Sequence, residues 1–160
     1  MDETPCNLEM GFDTTIDFIG KKNIEVETFG REQYRITIIL TIEGDGTKLP
    51  PYVILKRKPG KTIENHLKNL EYIFKNKIFV CCQEKGWCTK DIFANWIKNI
   101  FIPYQKSLND KCSNIFDMAS SHISNYSLEI LNKYDINYIT IPAGMTPICQ
   151  PLDIEVNKIF

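Results

Sequence analysis

Three carboxylates occupy positions from which divalent-cation chemistry can be built. Asp2 stands in Met1-Asp2-Glu3-Thr4-Pro5, Asp117 ends the apolar run Ser113-Asn114-Ile115-Phe116, and Asp153 follows Cys149-Gln150-Pro151-Leu152. Hard cations such as Mg²⁺ take oxygen ligands, commonly one or two carboxylates together with waters and substrate phosphates. Two such ions a few ångströms apart can cut and join phosphodiesters. Each acid also has an ordinary role: solvated terminal charges at Asp2 and Glu3, a turn acid at Asp117, a favourable charge at a helix N-terminus at Asp153. The three are far apart in sequence, so a site exists only if the fold converges them.

The elements that must do so can be read from periodicity. Ile36, Ile38, Leu40 and Ile42 alternate with Arg35, Thr37, Ile39 and Thr41, which predicts a strand over residues 34–42. Glu43-Gly44-Asp45-Gly46 is a turn signal, and residues 49–56 form the return strand of a hairpin. Pro50 and Pro51 cannot donate ladder hydrogen bonds, so that strand starts late or lies at an edge. Residues 24–29 predict a shorter strand, residues 59–77 a long connection with at most a turn of helix, and residues 78–82 a further strand. Thr89 is placed to cap a helix ending before Pro103, with Ile92, Phe93, Trp96, Ile97, Ile100 and Phe101 on a wide apolar stripe. Residues 113–117 and 137–141 read as strands separated by a Ser124-capped helix, and Pro151 opens a final helix.

An antiparallel hairpin followed by βα units predicts an α/β fold: a mixed sheet with helices on both faces. In such sheets sites form at the ends of parallel strands. Asp117 is at such an end. Asp153 follows the neighbouring strand, one strand–helix–strand–loop passage later, and can project to the same edge.

Composition bounds the function. The chain has 160 residues, enough for one domain, and 43% of them are hydrophobic, enough for a core rather than a disordered chain. Its formal net charge of −1 excludes a uniformly basic nucleic-acid binder. No secretory leader and no membrane-length apolar run are evident. The cysteines Cys6, Cys81, Cys82, Cys88, Cys112 and Cys149 form no C-x-x-C pair and match no zinc-finger spacing, so they read as reduced thiols of an intracellular protein, with structural zinc the alternative.

Several motifs, in order and spacing, resemble one family. Met1-Asp2-Glu3-Thr4-Pro5, then Asp45-Gly46-Thr47-Lys48-Leu49-Pro50-Pro51 with Val53-Ile54-Leu55-Lys56, then Lys85-Gly86-Trp87, Asp117-Met118-Ala119-Ser120-Ser121-His122, Ile141-Pro142 and Gln150-Pro151-Leu152-Asp153 are similar to the pogo/Tigger/Jerky branch of the Tc1/mariner DDE/D transposases. The resemblance covers nearly the whole of residues 1–160. It implies an RNase H-like fold with Asp2, Asp117 and Asp153 as a triad holding Mg²⁺ or Mn²⁺. It implies a catalytic core that cleaves transposon ends and joins them to target DNA in the nucleus, with no membrane partner and with assembly of oligomers on DNA.

Lys56, Arg57, Lys58 and Lys61 form the densest basic run, and with His122 are candidate DNA contacts. The ordinary readings are a solvated loop for the run and a helix-start hydrogen bond for His122. Glu3 should point to the face opposite Asp2 and is left out of the triad. Members of the family carry an N-terminal helix-turn-helix, which this sequence lacks, and both of its ends look cut. The expectation is a fragment that is inactive and marginally stable alone. The alternative functions are a transposase-derived, non-catalytic DNA-binding or scaffold protein, and an inert transposon remnant.

Overall fold

The computed structural model describes residues 1–7, 19–20, 35–60, 62, 65–67, 77–108 and 112–157. The strand predicted for residues 24–29, and most of the 59–77 connection, lie outside the described residues.

Strand β1 (Asp2–Asn7) runs antiparallel to β2 (Arg35–Leu40), with Asp2 opposite Leu40 and Thr4 opposite Ile38. The chain reverses through residues 43–47. There the Asp45 carboxylate accepts from the Thr47 backbone N–H and hydroxyl at 2.8 and 3.0 Å, and the Glu43 N–H donates to the Thr47 carbonyl. The return strand β3 (Tyr52–Lys56) begins only after the two prolines, as their missing donors require. β4 (Phe79–Gln83) then adds parallel to β3, completing a four-stranded mixed sheet in the order β1-β2-β3-β4.

β5 (Ser113–Asp117) and β6 (Asn137–Ile141) form a parallel pair with Asp117 opposite Ile141. The Met1 nitrogen donates to the Ile115 carbonyl at 2.7 Å and brings β5 alongside the start of β1. This mixed α/β arrangement, antiparallel first and parallel later, is the RNase H-like fold expected from the sequence.

One face of the sheet is sealed by the long helix. α1 (Lys90–Trp96) starts at Thr89, whose hydroxyl accepts from the Ile92 N–H. Phe93, Trp96, Ile97, Ile100 and Phe101 are buried with Ile39, Ile54, Phe116 and Leu131 in one cluster. Phe93 stacks on Trp96 with centroids 5.7 Å apart and meets Phe116 edge-on at 5.5 Å. Full burial of side chains of this size contributes roughly 1.5–3 kcal/mol each. Ile39 belongs to the alternate set that the period-two pattern groups with Arg35 and Thr37. It is fully buried because this is the face the helix covers, whereas Ile36, Ile38 and Leu40, on the opposite face, are only partly buried and lie outside the cluster.

The helix does not end before Pro103. It widens into a π-helical segment (Ile97–Phe101), in which the Ile102 N–H reaches back to the Ile97 carbonyl, and continues as α2 (Ile102–Ser107). A π turn shifts the bonding register by one residue, so Pro103, with no N–H to give, falls in the opening turn of α2 where none is needed.

α3 (Asn125–Lys133) is capped by the Ser124 hydroxyl, which accepts from the Ser127 N–H at 3.1 Å. α4 (Thr146–Cys149) and a π-helical turn (Leu152–Val156) follow β6. Among the described residues no helix is long and apolar enough to cross a membrane.

Candidate active site

Adjacent residues of β1 serve two different clusters, because successive side chains of a strand point to opposite faces. Asp2 is buried, at 7% exposure. The Asn157 side-chain N–H₂ donates to Asp2 Oδ2 at 2.5 Å and to Asp153 Oδ1 at 3.0 Å, so one neutral amide bridges the two carboxylates. Asp153 and Asn157 are four residues apart on the last helical turn, a spacing that stacks them on one face. Gln150, also buried, donates from its side chain to the Met1 carbonyl and ties this turn to the start of β1. Burial, followed by the hydrogen bond and charge of Asp153, raises the Asp2 carboxyl to about 7.

Glu3 turns to the other side. His122, 2% exposed, joins its Nε2 to Glu3 Oε1 at 2.9 Å and its Nδ1 to Asp117 Oδ1 at 2.7 Å. The same Asp117 oxygen accepts from the Ala119 N–H at 3.1 Å, an Asx-type turn that fixes the exit from β5. The imidazole lies between Phe93 and Phe116, with centroids 4.6 and 5.5 Å away. Burial alone would lower its proton affinity. The hydrogen bonds and charges of Asp117 and Glu3 outweigh that and lift it to about 9, so the ring is an imidazolium at neutral pH. The hydrogen bond from His122 in turn holds Asp117 below the usual carboxylate range, against the effect of its partial burial. Beside this pair the Cys88 thiol is half-buried, and burial together with the Glu3 carboxylate pushes its proton affinity up, leaving it a neutral thiol.

The structure thus brings Asp2 and Asp153 together through Asn157. Asp117 stands at the end of the strand beside β1, and its two hydrogen bonds at Oδ1 run to Ala119 and His122. The Met1 nitrogen lies within electrostatic reach of both Asp2 and Asp117. Its bond to Ile115 ties the start of β1 to β5, which pairs with β6 in a second sheet, and the hydrogen-bond partners of the Asp117 side chain, Ala119 and His122, lie on the Glu3 side of β1.

Of the basic run, Lys56, Arg57 and Lys58 are exposed at the end of β3, and Lys58 pairs with Glu84 at 3.3 Å. Lys61 lies outside the described residues. His122 faces inward, with both ring nitrogens engaged. Sequence reasoning did not single out Asn157, Cys88 or a role for Glu3. The four-residue step from Asp153 was the available signal for Asn157. Cys88 had none, since its neighbours come from other parts of the chain.

The donor set suits a hard divalent ion. Asp2 and Asp153 are carboxylates with a neutral amide between them. The raised proton affinity of Asp2 is the mark of a buried carboxylate beside a like charge, which a cation would relieve.

A mixed α/β arrangement of this topology is that of an RNase H-like fold, and the family comparison agrees. The model of the DDE superfamily endonucleases matches residues 33–160, so the chain belongs to that family. Its relatives include "Pogo transposable element with KRAB domain" from Mus musculus, 32% identical over 98% of this chain and 24% of the relative, and its Homo sapiens counterpart, 30% identical with the same coverage. "Pogo transposable element with ZNF domain" from Homo sapiens is 21% identical over 86% of this chain and 9% of that protein. The chain therefore spans about a quarter or less of the length of these relatives. No solved structure matches it.

Proposed function

We propose that the chain is the catalytic core of a DDE/D transposase, which cleaves DNA strands and transfers them in a metal-dependent reaction. The observation that carries this reading is the convergence of Asp2 and Asp153 on Asn157 at the start of β1, with Asp117 at the end of β5, the strand to which the Met1 nitrogen is bonded. Asp2, Asp117 and Asp153 are the residues that would hold Mg²⁺ or Mn²⁺, ions selected by an all-oxygen donor set. When bound, the ions supply the charge that activates the attacking hydroxyl and stabilises the leaving oxygen. Asn157 holds the side chains of Asp2 and Asp153 in register. His122 fixes one oxygen of Asp117 and so orients that carboxylate. Lys56, Arg57, Lys58 and Lys61 contact the DNA backbone. The substrates are transposon ends and target DNA, on which the protein assembles as an oligomer in the nucleus.

The test is a strand-cleavage assay of the protein carrying this domain, on supercoiled DNA with Mg²⁺, with Mn²⁺ and with EDTA. Cleavage should require a divalent ion and disappear in Asp117→Asn and Asp153→Asn. Undiminished nicking in EDTA, or by either variant, sinks the proposal. A second reading draws on the relatives, whose names join a pogo element to a KRAB or a ZNF domain. On that reading the chain is a transposase-derived DNA-binding or scaffold module. It predicts DNA retention that is indifferent to Asp153→Asn and no cleavage under any metal.

A further inference from the structure

We propose that Glu3, Cys88 and His122 form a second metal site, for a borderline-soft divalent transition ion of the Zn²⁺ class. The proposal rests on the placement of these three side chains and is independent of the cleavage reading. One ligand atom from each, a carboxylate oxygen, a thiol sulfur and an imidazole nitrogen, all lie within 4.8 Å of one another. They come from three separate stretches: β1, the connection between β4 and α1, and the turn after β5. In a tetrahedral zinc site with bonds of about 2.0–2.3 Å, ligand atoms stand roughly 3.3–3.8 Å apart. The observed cluster, with Nε2 and Oε1 at 2.9 Å, needs shifts on the order of an ångström to reach that shape.

The surroundings of His122 favour coordination. Its Nδ1 is engaged by Asp117 at 2.7 Å, so an Nδ1–H donated to that carboxylate leaves Nε2 as the atom that points at Glu3 and Cys88. A carboxylate behind a histidine is the arrangement that fixes the tautomer and orientation of metal-binding imidazoles. Phe93 and Phe116 hold the ring in place. Glu3 and Cys88 are only partly buried, so an ion can reach the site from solvent. The sulfur distinguishes this site from the neighbouring carboxylates: thiolate and imidazole select Zn²⁺ over Mg²⁺, whereas an all-oxygen set does the reverse. On binding, the Cys88 S–H bond breaks as the S–metal bond forms and its proton leaves to solvent. His122 likewise gives up its Nε2 proton. Three protein ligands leave the fourth position for water or a substrate oxygen.

The test uses Co²⁺ as a spectroscopic stand-in on chelator-treated protein. One equivalent should produce a thiolate-to-cobalt charge-transfer band in the near ultraviolet. The band should be displaced by Zn²⁺ and left unchanged by excess Mg²⁺. Cys88→Ser should abolish it although five other cysteines remain. Glu3→Gln should weaken binding about 10-fold or more, within the range for lost ligand-shell contacts. Asp153→Asn should leave the band intact while removing Mg²⁺-dependent cleavage, so that failure of one reading is separable from failure of the other. If Cys88→Ser does not fold, X-ray absorption on the wild-type protein with one equivalent of Zn²⁺ decides. One sulfur at about 2.3 Å with lighter scatterers at about 2.0 Å supports the site. A missing band, an equal band in folded Cys88→Ser, or a zinc shell with no sulfur or more than one overturns it.

Discussion

Asp2 and Glu3 are neighbours on one strand, yet they sit in electrostatically opposite surroundings. On the Asp2 side, burial and the neighbouring Asp153 raise the Asp2 carboxyl to about 7, against the Asn157 amide that the two carboxylates share. On the Glu3 side, two carboxylates flank a buried imidazolium, and Asp117 falls below the ordinary range. Residue type alone does not decide the charge state; burial and the partners do. The Asp2 side is a set of acids short of a cation. The Glu3 side has a cation in His122, which a metal ion would have to replace by taking over its Nε2.

The largest expected effect tests whether the Asp2 side is the reacting one. Asp153→Asn keeps the volume and removes one ligand charge, and should lower Mg²⁺-dependent cleavage by roughly 10⁴-fold, the scale for loss of one member of a catalytic set. Circular dichroism should show the fold retained. A loss under 10-fold would mean that this face does not hold the reaction.

Phe93→Ala strikes the other side from beneath. Phe93 is fully buried and supports Trp96, Phe116 and the His122 ring. Its truncation should cost about 3–5 kcal/mol in urea unfolding. A cost below 1 kcal/mol would show that the His122 platform is not part of the core.

Metal addition separates the two faces thermodynamically. Mg²⁺ at about 100 times its dissociation constant should stabilise the native protein by roughly 2.7 kcal/mol. Asp2→Asn should remove most of that gain, and Glu3→Gln should leave it. Calorimetric melting with and without Mg²⁺ reads both, and an equal gain in Asp2→Asn would place the ion elsewhere.

Gly86 sets the loop that carries Cys88. Its φ is +71°, and a Cβ there would lie 2.9 Å from the Lys56 Cβ. Its carbonyl accepts from the Thr37 hydroxyl at 2.7 Å. Gly86→Ala should destabilise by about 1–3 kcal/mol. A melting temperature equal to wild type would show that the loop relaxes freely.

The smallest effect is a pH window. His122 is raised from 6.5 to about 9, so its contribution is complete below pH 6.5 and is lost as pH rises through about 9. Asp2 is raised from 3.8 to about 7, so its protonated form stabilises below pH 3.8 and that contribution is lost as pH rises through about 7. Melting temperature should fall by a few degrees between pH 6.5 and 9, and His122→Gln should flatten that limb. A flat wild-type profile there would mean the ring is neutral and the contrast between the faces is wrong.

The alternation around Ile36 to Ile42, the Gly44–Gly46 turn, the late start after Pro50 and Pro51, and the caps at Thr89 and Ser124 could all be read from sequence and stand in the structure. These are local decisions: backbone donors, turn conformations and side-chain period act within a few residues. The passage of the helix through Pro103 was not legible, because a π turn depends on what the helix packs against rather than on the proline alone. The motif order pointed to Asp2, Asp117 and Asp153. It could not show that Asn157 bridges two of them, or that Glu3 pairs with His122.

The sequence by itself determined the order of most described elements and the family, since propensities and motif spacing are properties of a linear chain. Tertiary structure decided which carboxylates share a donor, which one meets the imidazolium, and that Cys88 lies beside both Glu3 and His122. Those outcomes depend on strand register and on which face each side chain takes. A single-residue change of register reverses the face, and no short stretch of sequence records it.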